Sequence, residues 1–390
     1  MKVVLSGGGS GGHITPILAV ADELKNIDST TEVIYIGQTG DKLGDIPKAH
    51  KSIDKVYSVR AGKFRRFYNE GIKQILDLPV LFKNIRDFFY VIIGIYQSYN
   101  LIKRLKPDIV FTRGGFVSVP VALGAKLCGV NYITHDSDPI PSLANRIIAR
   151  WAIKHAVALP EDVYPYPRDK TITTGIPVNN NFKNVDHKEL IRFRKEIDLS
   201  PDAKMLFIIG GGLGSLNINN AVCAVADHLL EQFSDLNIYH VAGRANEKEV
   251  TQFYKDNLPE EVKSRLKTFS YISDVYKYSG AADLIITRAG ATNLAEFALQ
   301  AKPCIIIPSK FLVGGHQLKN AEYLSDQNAA IVLDEDKLAF NPLTLAKEVS
   351  ELLKDKKYRE DLGLNLSKFA VKNASSVIAN LILELGDSAK

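Results

Sequence analysis

Two glycine-rich turns, each placed directly after a short apolar run, constrain the fold of this chain more than any other feature. The first, GGGSGGH at residues 7–13, follows Val3–Leu5, and the second, GGGLGS at residues 210–215, follows MLFII. After the first turn, apolar side chains recur at helical spacing over residues 14–25, and Pro16 lies in the first helical turn, where its missing N–H is not needed. Strand, glycine turn and helix in this order predict an open α/β unit, and the repeat predicts two of them.

Further strands and helices alternate along both halves of the chain. In the first half we predict strands at EVIYIG, PDIVFT and NYITHD, with helical stretches near residues 92–106, 118–128 and 142–155. After Pro177 the second half continues with the strands NIYHVAG, LIITRAG and PCIIIPS. Such alternation is typical of parallel sheets covered by helices on both faces, so the predicted fold class is α/β.

The proline-rich stretch ALPEDVYPYPRD precedes the point where the pattern restarts. It places a first domain at residues 1–165 and a second at residues 175–362. Residues 363–390 end in a predicted helix. Whether this last segment packs back on the first domain stays open at this stage.

Composition and short sequence signals exclude several classes of protein. With 46% hydrophobic and 24% charged residues, the chain is typical of a globular protein. Its cysteines, Cys128, Cys223 and Cys304, are far apart and predict neither a disulfide framework nor a zinc site. The first apolar run is too short for a signal peptide, and the longest, Phe88–Tyr96, is shorter than the roughly 20 residues of a spanning helix. We therefore expect a protein of a reducing compartment without a spanning segment.

Residues 60–86 combine basic and apolar side chains. The basic residues are Arg60, Lys63, Arg65, Arg66, Lys73, Lys83 and Arg86, and only Glu70 and Asp77 oppose them. Phenylalanine, tyrosine, leucine, isoleucine and valine residues are interleaved with these cations. This combination suits an anionic membrane surface. A helix with a solvated basic face and a buried apolar face would give the same pattern, so both interpretations stay open.

A glycine turn that opens a helix is suited to an anionic group, because ligands can approach its backbone and the helix start presents unpaired N–H groups. The first turn contains Gly7-x-Gly9-x-x-Gly12, a dinucleotide-binding pattern, but Gln38 stands where that pattern expects an acid. His13 stands where a P-loop requires lysine. Two such turns predict a phosphate or sugar-pyrophosphate ligand, with NAD as an alternative.

Several segments carry a family resemblance. GGGSGGHITP, FTRGGFVSVP and THDSDPIPSLANR resemble the N-terminal domain of the MurG family, and TRAGATNLAEFALQAKPCIIIPS and HQLKNAEYL resemble its donor-binding segment. The matches occur in the family's order over nearly the whole chain. The resemblance implies glycosyltransferase family 28 and a GT-B fold, with two Rossmann-like domains facing across a cleft. The first domain would face acceptor and membrane, and the second would hold the UDP-sugar donor.

The resemblance also implies an activity. It is the inverting transfer of N-acetylglucosamine from UDP-N-acetylglucosamine to undecaprenyl-pyrophosphoryl-N-acetylmuramyl-pentapeptide (lipid I), which gives lipid II for peptidoglycan. The implied partners are the donor, lipid I and an anionic membrane surface, with no nucleic acid, and the implied location is peripheral on the cytoplasmic face of the cell membrane. No DxD-type acidic cluster stands in the donor half, so we expect no tightly bound cofactor or metal, and weak stimulation by divalent cations stays open.

Other functions remain as alternatives. A related GT-B transferase could use another lipid acceptor or another nucleotide sugar. An NAD-dependent oxidoreductase and a sugar-nucleotide binder without catalytic activity belong to different classes. Selective binding of uridine nucleotides rather than NADH would separate the transferases from the oxidoreductase.

The resemblance assigns a set of donor contacts. They are Ser10, Gly11, Gly12, Gly212, Gly214, Ile272, Gly290, Ala291, Thr292, Glu296, His316 and Gln317. Glu296 would accept hydrogen bonds from both ribose hydroxyls. Backbone N–H groups at Gly290–Thr292 would stabilise the charge that develops on the leaving UDP. Ile272 matches a position whose backbone contacts uracil, and His316-Gln317 matches a pair of glutamines that hold the donor sugar.

His13 and Asp138 are the predicted catalytic residues. A neutral imidazole at His13 could accept the proton of the acceptor hydroxyl near pH 7, or could bind the acceptor phosphates. Asp138 stands where the family has asparagine, and it would act as a base, orient the acceptor, or cap the helix at residue 142. The acceptor and membrane contacts are assigned to Gly114, Gly115, Phe116, Arg65, Arg66 and Lys73.

The chain departs from the family pattern at two places in or near the donor half. The family's GGSQG is GGGLG here, which removes a hydroxyl and an amide. The family's GNPVR is GIPVN at residues 175–179, so Asn179 replaces an arginine that could pair with phosphate. These departures predict donor binding that is weaker or differently arranged.

Overall fold

The computed structural model describes residues 1–9, 11–65, 78–212, 214–310 and 315–388. Within these residues the chain forms two compact units. The first contains the residues up to Asn180, Gly315 and His316, and the residues from Val371 onward, whereas the second contains Asn181–Lys310 and Gln317–Ala370. Each unit has its own parallel sheet, which confirms the predicted α/β class.

The sheet of the first unit has, among the described residues, seven strands in the order β3-β2-β1-β4-β5-β6-β7. They are β1 (Lys2–Ser6), β2 (Glu32–Gln38), β3 (Lys55–Val59), β4 (Ile109–Thr112), β5 (Tyr132–Asp136), β6 (Lys154–Val157) and β7 (Thr171–Thr173). The strand order reverses between β1 and β4, where Ser6 pairs with Thr112. Ligands of open α/β sheets bind at such a reversal, next to the carboxyl ends of the strands.

Helices cover both faces of this sheet. They are α1 (Gly11–Ile27), α2 (Asp45–Ala49), α3 (Leu78–Leu105), α4 (Ser118–Leu127) and α5 (Leu143–Ile148). Along β1, Val3 and Leu5 pack in the core cluster that contains α1, and Val4 packs in the cluster that contains α3 and α4. Because both faces of β1 are buried, its sequence is continuously apolar rather than alternating.

The sheet of the second unit has six strands among the described residues, in the order β10-β9-β8-β11-β12-β13. They are β8 (Lys204–Ile209), β9 (Leu236–Val241), β10 (Leu266–Phe269), β11 (Leu284–Thr287), β12 (Cys304–Ile306) and β13 (Ile331–Val332). The order reverses between β8 and β11, where Ile209 pairs with Thr287. The two units therefore repeat one topology around their glycine turns.

The helices of the second unit complete its two outer layers. They are α6 (His187–Glu196), α7 (Leu216–Cys223), α8 (Ala226–Gln232), α9 (Glu247–Asn257), α10 (Glu260–Lys263), α11 (Val275–Ala281), α12 (Ala291–Leu299), α13 (His316–Asp326), α14 (Glu335–Phe340), α15 (Leu343–Lys354) and α16 (Lys356–Ser367). His316, the first residue of α13, belongs to the first unit, and the rest of this helix belongs to the second.

The last helix, α17 (Ala374–Asp387), belongs to the first unit. Its Ile378, Ala379 and Ile382 are buried in the same core cluster as β1 and α1. Ser375 Oγ donates to the Val178 carbonyl oxygen at 2.8 Å. The chain thus returns to its first unit through apolar packing and a hydrogen bond.

Some predicted elements differ from the structure. The helix predicted over 142–155 ends at Ile148, a 3₁₀ turn follows at Ala149–Trp151, and β6 begins at Lys154. Pairing of β6 with both β5 and β7 explains the strand, because these partners are distant in sequence. The helix predicted from residue 92 begins at Leu78. None of the helices in the described residues is both long and apolar enough to span a membrane.

Candidate active site

The first glycine turn joins β1 to α1 and is held by neighbouring loops. Gly9 has a φ of 80°, and a side chain there would meet the Phe116 ring, 2.6 Å from the Cβ position. The Gly9 N–H donates to Asp41 Oδ2 at 2.9 Å, and Tyr35 Oη donates to the Gly7 carbonyl oxygen at 2.5 Å. One turn amide is therefore bound to an internal carboxylate instead of being presented to a ligand. The predicted contacts Gly11 and Gly12 are the first residues of α1.

His13 lies in the first turn of α1, close to the loop after β4. Its ring is 3.3 Å from the Cβ position of Gly115, whose φ is 78°, so glycine there leaves room for the imidazole. Burial and the nearby Arg113 guanidinium lower the pKa of His13 to about 4, although Asp138 acts in the opposite direction. The imidazole is neutral at pH 7, and its buried Nδ1 has no hydrogen-bond partner among the described residues.

Arg113 is a buried cation at the end of β4. Burial lowers its pKa to about 10, while Asp138 and Asp136 raise it. Asp136 ends β5, and Tyr166 Oη donates to its Oδ2 at 2.7 Å. Burial raises the pKa of Asp136. The structure thus brings His13, Arg113 and Asp138 into one electrostatic cluster in the first unit.

Asp138 does not cap the helix at residue 142. Ser142 is the N-cap of α5, and its Oγ accepts the Asn145 N–H at 3.1 Å. The Asn145 side chain lies 3.0 Å from the Cβ position of Gly114, whose φ is 78°. The capping alternative for Asp138 is therefore wrong. Its carboxylate instead acts on the charges of His13 and Arg113.

Asn179, which replaces the family's arginine, has a structural contact. Its Nδ2 donates to Asp22 Oδ2 on α1 at 3.3 Å. The next residue, Asn180, donates from Nδ2 to Glu23 Oε1 on the same helix at 2.5 Å. These two side-chain amides bind the end of residues 1–180, the main segment of the first unit, to acidic side chains of α1.

The second glycine turn joins β8 to α7. A Cβ at Gly210 would lie 2.6 Å from that of Ser215, and a Cβ at Gly214 would collide with the Ala242 carbonyl oxygen. Ser215 Oγ caps α7 by accepting the Ile218 N–H at 3.4 Å. Close packing therefore accounts for glycine at Gly210 and Gly214. Of the two predicted donor contacts in this turn, Gly214 serves packing and Gly212 is exposed.

Helix α12 begins at an open end. Its N-cap, Gly290, provides no side chain, and the space around its Cβ position is open for 4 Å among the described residues. The predicted contacts Ala291 and Thr292 form the first turn behind it. N–H groups at the start of a helix lack intrahelical partners and attract anionic groups. The start of α12 is thus a candidate position for a phosphate.

Glu296 lies in the middle of α12 with 8% of its surface exposed. Among the described residues, its carboxyl group has no hydrogen bond or ion pair. Burial raises the pKa of Glu296 to about 8. Burying a carboxyl group without a partner costs free energy, so this side chain is a candidate for contact with a ligand.

The remaining predicted donor contacts lie in loops of the second unit and at the start of α13. Ile272 follows β10 and is buried, next to Tyr271, whose ring is 5.2 Å from the Arg244 guanidinium. Gln317 Oε1 accepts the Ser309 N–H at 2.9 Å, and its Nε2 has no hydrogen bond among the described residues. His316 Nδ1 is buried, also without a partner in the described part of the chain.

Three predicted contacts lie outside the described residues, and their roles stay predictions: Ser10, assigned to the donor, and Arg66 and Lys73, assigned to acceptor and membrane. Another membrane contact has an internal partner. Arg65 Nη1 donates to the buried Asp87 carboxylate at 2.8 Å. In the described ranges, no group of three or more histidine, cysteine, aspartate or glutamate side chains is arranged to hold a metal ion.

The sequence also contains a repeated signal to which no role was assigned. FTRGG at residues 111–115 and ITRAG at residues 286–290 both end a buried strand with threonine and arginine before a glycine. Arg113 lies near acidic residues of the β5 loop, and Arg288 forms an ion pair of 2.7 Å with Glu335. A cation between a buried strand and a glycine turn needs an acidic partner nearby. The repeated threonine-arginine pair could therefore have been recognised in the sequence as a pair of ion-pairing positions.

Comparison with known proteins agrees with this geometry. The N-terminal domain of glycosyltransferase family 28 matches residues 3–157, and its C-terminal domain matches residues 205–378. Two α/β units with these matches define a two-domain glycosyltransferase of the GT-B class. The chain belongs to glycosyltransferase family 28, which confirms the predicted resemblance and favours a transferase over an oxidoreductase.

Similar proteins extend over the full length of the chain. The UDP-N-acetylglucosamine–N-acetylmuramyl-(pentapeptide) pyrophosphoryl-undecaprenol N-acetylglucosamine transferase of Natranaerobius thermophilus is 32% identical over 99% of this chain and 100% of its own. An enzyme of the same name from Bacillus anthracis, numbered 2, is 34% identical over 98% of this chain and 99% of its own.

Solved structures share the fold. Acinetobacter baumannii MurG has a TM-score of 0.66 at 23% identity, covering 98% of this chain and 99% of that chain. The UDP complex of Staphylococcus aureus MnaA has a TM-score of 0.65 at 14% identity, covering 98% and 97% of the two chains. At these identities the likeness concerns the fold alone.

Proposed function

We propose that the chain transfers N-acetylglucosamine from UDP-N-acetylglucosamine to lipid I with inversion at the anomeric carbon, giving lipid II. Its full-length relatives are named for this reaction. Glu296 is the structural observation that supports the proposal most directly. Its buried carboxyl group has no partner among the described residues, and it lies on a helix whose N-cap, Gly290, has open space around its Cβ position within the same part of the chain.

A nucleoside diphosphate fits the chemistry around α12. Its ribose hydroxyls would donate two hydrogen bonds to the Glu296 carboxylate and so relieve the cost of burying this group. Its pyrophosphate would lie at the start of the helix, at Gly290 and the residues that follow it. Negative charge grows on the pyrophosphate as the glycosidic bond to UDP breaks, and oriented N–H groups stabilise that charge. The Nε2 group of Gln317 would remain for a hydroxyl of the donor sugar.

His13 would accept the proton of the acceptor hydroxyl as the hydroxyl oxygen attacks the anomeric carbon of the donor sugar. Its imidazole is neutral, and it lies at the start of α1, next to the glycines of the β4 loop. Asp138 favours the protonated imidazole, and it would stabilise the cation that forms when the proton is transferred. Arg113 opposes protonation, so the cluster balances the two states of the imidazole.

Helix α3 supports attachment to a membrane surface. Nine large apolar or aromatic side chains of this helix are exposed, and we call them the α3 stripe. They are Leu78, Leu81, Phe82, Ile85, Phe88, Phe89, Ile92, Ile93 and Tyr96. Their spacing of three and four residues places them along one side of the helix. Lys83 and Arg86 are exposed on the same helix, which suits insertion of the stripe among anionic lipids.

Replacing Phe82 and Phe89 in the α3 stripe with serine is expected to weaken binding to vesicles that contain anionic lipid by roughly 100-fold or more, since burial of each phenylalanine side chain contributes about 1.5 kcal/mol or more. Phe82 is 68% exposed, so the fold should persist. Co-sedimentation with vesicles measures the change. Phe340→Ser is the control, because Phe340 is 92% exposed in the second unit. Equal vesicle binding by wild type and both variants would contradict a membrane role of the stripe.

The proposed location is the cytoplasmic face of the membrane, with peripheral attachment through the α3 stripe and nearby cations. The proposed partners are UDP-N-acetylglucosamine, lipid I and anionic lipid, without nucleic acid. We also propose that no tightly bound cofactor is used. A chelator should then leave at least part of the transferase activity, since any effect of divalent cations would be a weak stimulation.

A transfer assay tests the proposed reaction. Labelled UDP-N-acetylglucosamine and a short-chain lipid I analogue should yield the disaccharide product. A second candidate is a related transferase with another lipid or nucleotide sugar, and the contact of Asn179 with Asp22 in place of a phosphate contact favours testing it. Transfer from UDP-glucose, or to an undecaprenyl phosphate without the muramyl-peptide, at a higher kcat/KM would favour this second candidate.

A further inference from the structure

A single buried carboxylate, that of Glu335, joins three loops of the second unit. Glu335 is the first residue of α14, and its side chain is 1% exposed. Its Oε2 accepts from Arg288 Nη1 at 2.7 Å and from Asn217 Nδ2 at 2.9 Å. Its Oε1 accepts the backbone N–H of Lys310 at 3.0 Å. Both oxygens of the carboxylate therefore have defined partners.

The three partners belong to the three segments that carry most of the predicted donor contacts. Asn217 is in the first turn of α7, directly after the second glycine turn. Arg288 follows β11 and stands two residues before Gly290. Lys310 follows β12 and precedes the segment that leads to Gln317. Glu335 itself lies outside all three segments and comes later in the chain than any of them.

The charge of Glu335 is needed for this arrangement. Burial alone would raise its pKa, but hydrogen bonds from Lys310, Asn217 and Arg288 lower the pKa below its ordinary value. Arg288 also donates to the Ile307 carbonyl oxygen at 3.0 Å, so its guanidinium links the ends of β11 and β12. Without the carboxylate, this cation, whose side chain is only 12% exposed, would keep only a neutral acceptor.

We propose that Glu335 is a positioning residue for donor binding. It holds the start of α7 at Asn217, the loop before α12 at Arg288 and the end of β12 at Lys310 in the arrangement that a UDP-sugar requires, without touching the donor. The inference rests on the proposed function of this site. Three short bonds to one ionised group fix distances and directions, and displacement of a binding loop by about 1 Å can reduce activity roughly 100-fold.

Glu335→Gln is the first test. Glutamine keeps the shape of the side chain but replaces one acceptor oxygen with a donor, which must face Arg288 and Asn217 or the Lys310 N–H. We expect the Kd and KM for UDP-N-acetylglucosamine to rise roughly 10- to 100-fold, while the KM for the lipid I analogue stays unchanged. Asp336→Asn is the matched control, because Asp336 is exposed on the same helix and contacts only the Lys310 side chain among the described partners of its carboxylate.

A double variant separates positioning from stability. In Glu335→Met with Arg288→Met, apolar side chains replace the buried ion pair, a change that is often neutral or stabilising. We expect the Tm of this double variant to equal that of wild type, whereas the Tm of Glu335→Gln is lower. We expect the double variant to bind the donor as weakly as Glu335→Gln does. Donor affinity that recovers together with the Tm would overturn the proposal, as would an unchanged donor Kd in folded Glu335→Gln. A wild-type protein that neither binds nor uses the donor would instead contradict the proposed function.

Discussion

Glu296→Gln is expected to weaken binding of UDP-N-acetylglucosamine roughly 10- to 100-fold, since hydrogen bonds to a charged group contribute about 1.5–3 kcal/mol. The same variant should be more stable than wild type at pH 9. The folded protein holds the Glu296 proton up to a pKa of about 8, whereas the ordinary value is 4.5. Stability is therefore lost as the pH rises from about 4.5 to 8, and glutamine removes this loss.

The size of the stabilisation follows from the raised pKa. Each pKa unit corresponds to about 1.4 kcal/mol, so the gain at pH 9 is on the order of 3–5 kcal/mol. Thermal unfolding at pH 5 and pH 9 measures it, with a difference expected only at the higher pH. Glu322→Gln is the control, because Glu322 is exposed on α13 and loses the same charge. Weaker donor binding without stabilisation at pH 9 would mean that Glu296 has a partner in the free protein.

The affinity of the wild-type protein for UDP-N-acetylglucosamine should depend on pH in the opposite sense to its stability. The ribose hydroxyls bind the ionised carboxylate, and the ionised fraction of Glu296 increases about tenfold per pH unit below its pKa. Affinity should therefore rise from pH 6 and become constant above the pKa of about 8. Calorimetric titration should show proton release at pH 7, and Glu296→Gln should show neither effect. Constant affinity from pH 6 to 9 would exclude this role of the carboxylate.

His13→Gln is expected to reduce kcat by roughly 100- to 10,000-fold, the range of a general base, and to leave the Kd for UDP-N-acetylglucosamine unchanged. Glutamine retains polar atoms near the glycine turn but cannot accept a proton at neutral pH. Because the pKa of His13 is about 4, protonation of this residue should not limit the rate above about pH 5. Single-turnover transfer with saturating donor measures the step.

His50→Gln provides the control for this experiment. His50 is a partly buried histidine of the same unit, near Asp22 and away from the first glycine turn. It should change neither kcat nor donor affinity. If His13→Gln keeps the wild-type kcat, the base lies elsewhere, and Asp138→Asn is then the next variant to measure. If donor affinity falls in parallel with kcat, His13 contributes to donor binding instead.

The fold could be predicted from the sequence wherever the signal was local. The apolar runs around Val3–Leu5 and Met205–Ile209 are buried strands, and each glycine turn opens a helix, as predicted. The strand at Lys154–Val157 was missed, because its place in the sheet depends on partners in β5 and β7. The helix at Leu78–Leu105 was predicted only from residue 92, because the apolar side chains of its first half lie on the exposed side of the helix rather than in the core.

For the site, the sequence predicts which residues take part better than it predicts how these residues are arranged. Glu296 was assigned from a motif, and its burial without a partner in the described part of the chain was not visible in the sequence. Asp41 accepts the Gly9 N–H across 32 positions of the chain, a contact that no local pattern predicts. Glu335 was not recognised at all. Its partners Asn217, Arg288 and Lys310 are separated from it by 25 to 118 positions, so no local pattern connects them.

The sequence by itself determined the α/β class, the repeat of two units and the residue types that a sugar-nucleotide transferase needs. These features follow from periodicity and from short motifs, whose physical causes act within one turn or one strand. The tertiary structure alone decided which amides and carboxyl groups already have internal partners and which are left for a ligand. Hydrogen bonds and burial depend on residues that are distant along the chain, and such partners are known only when the chain is folded.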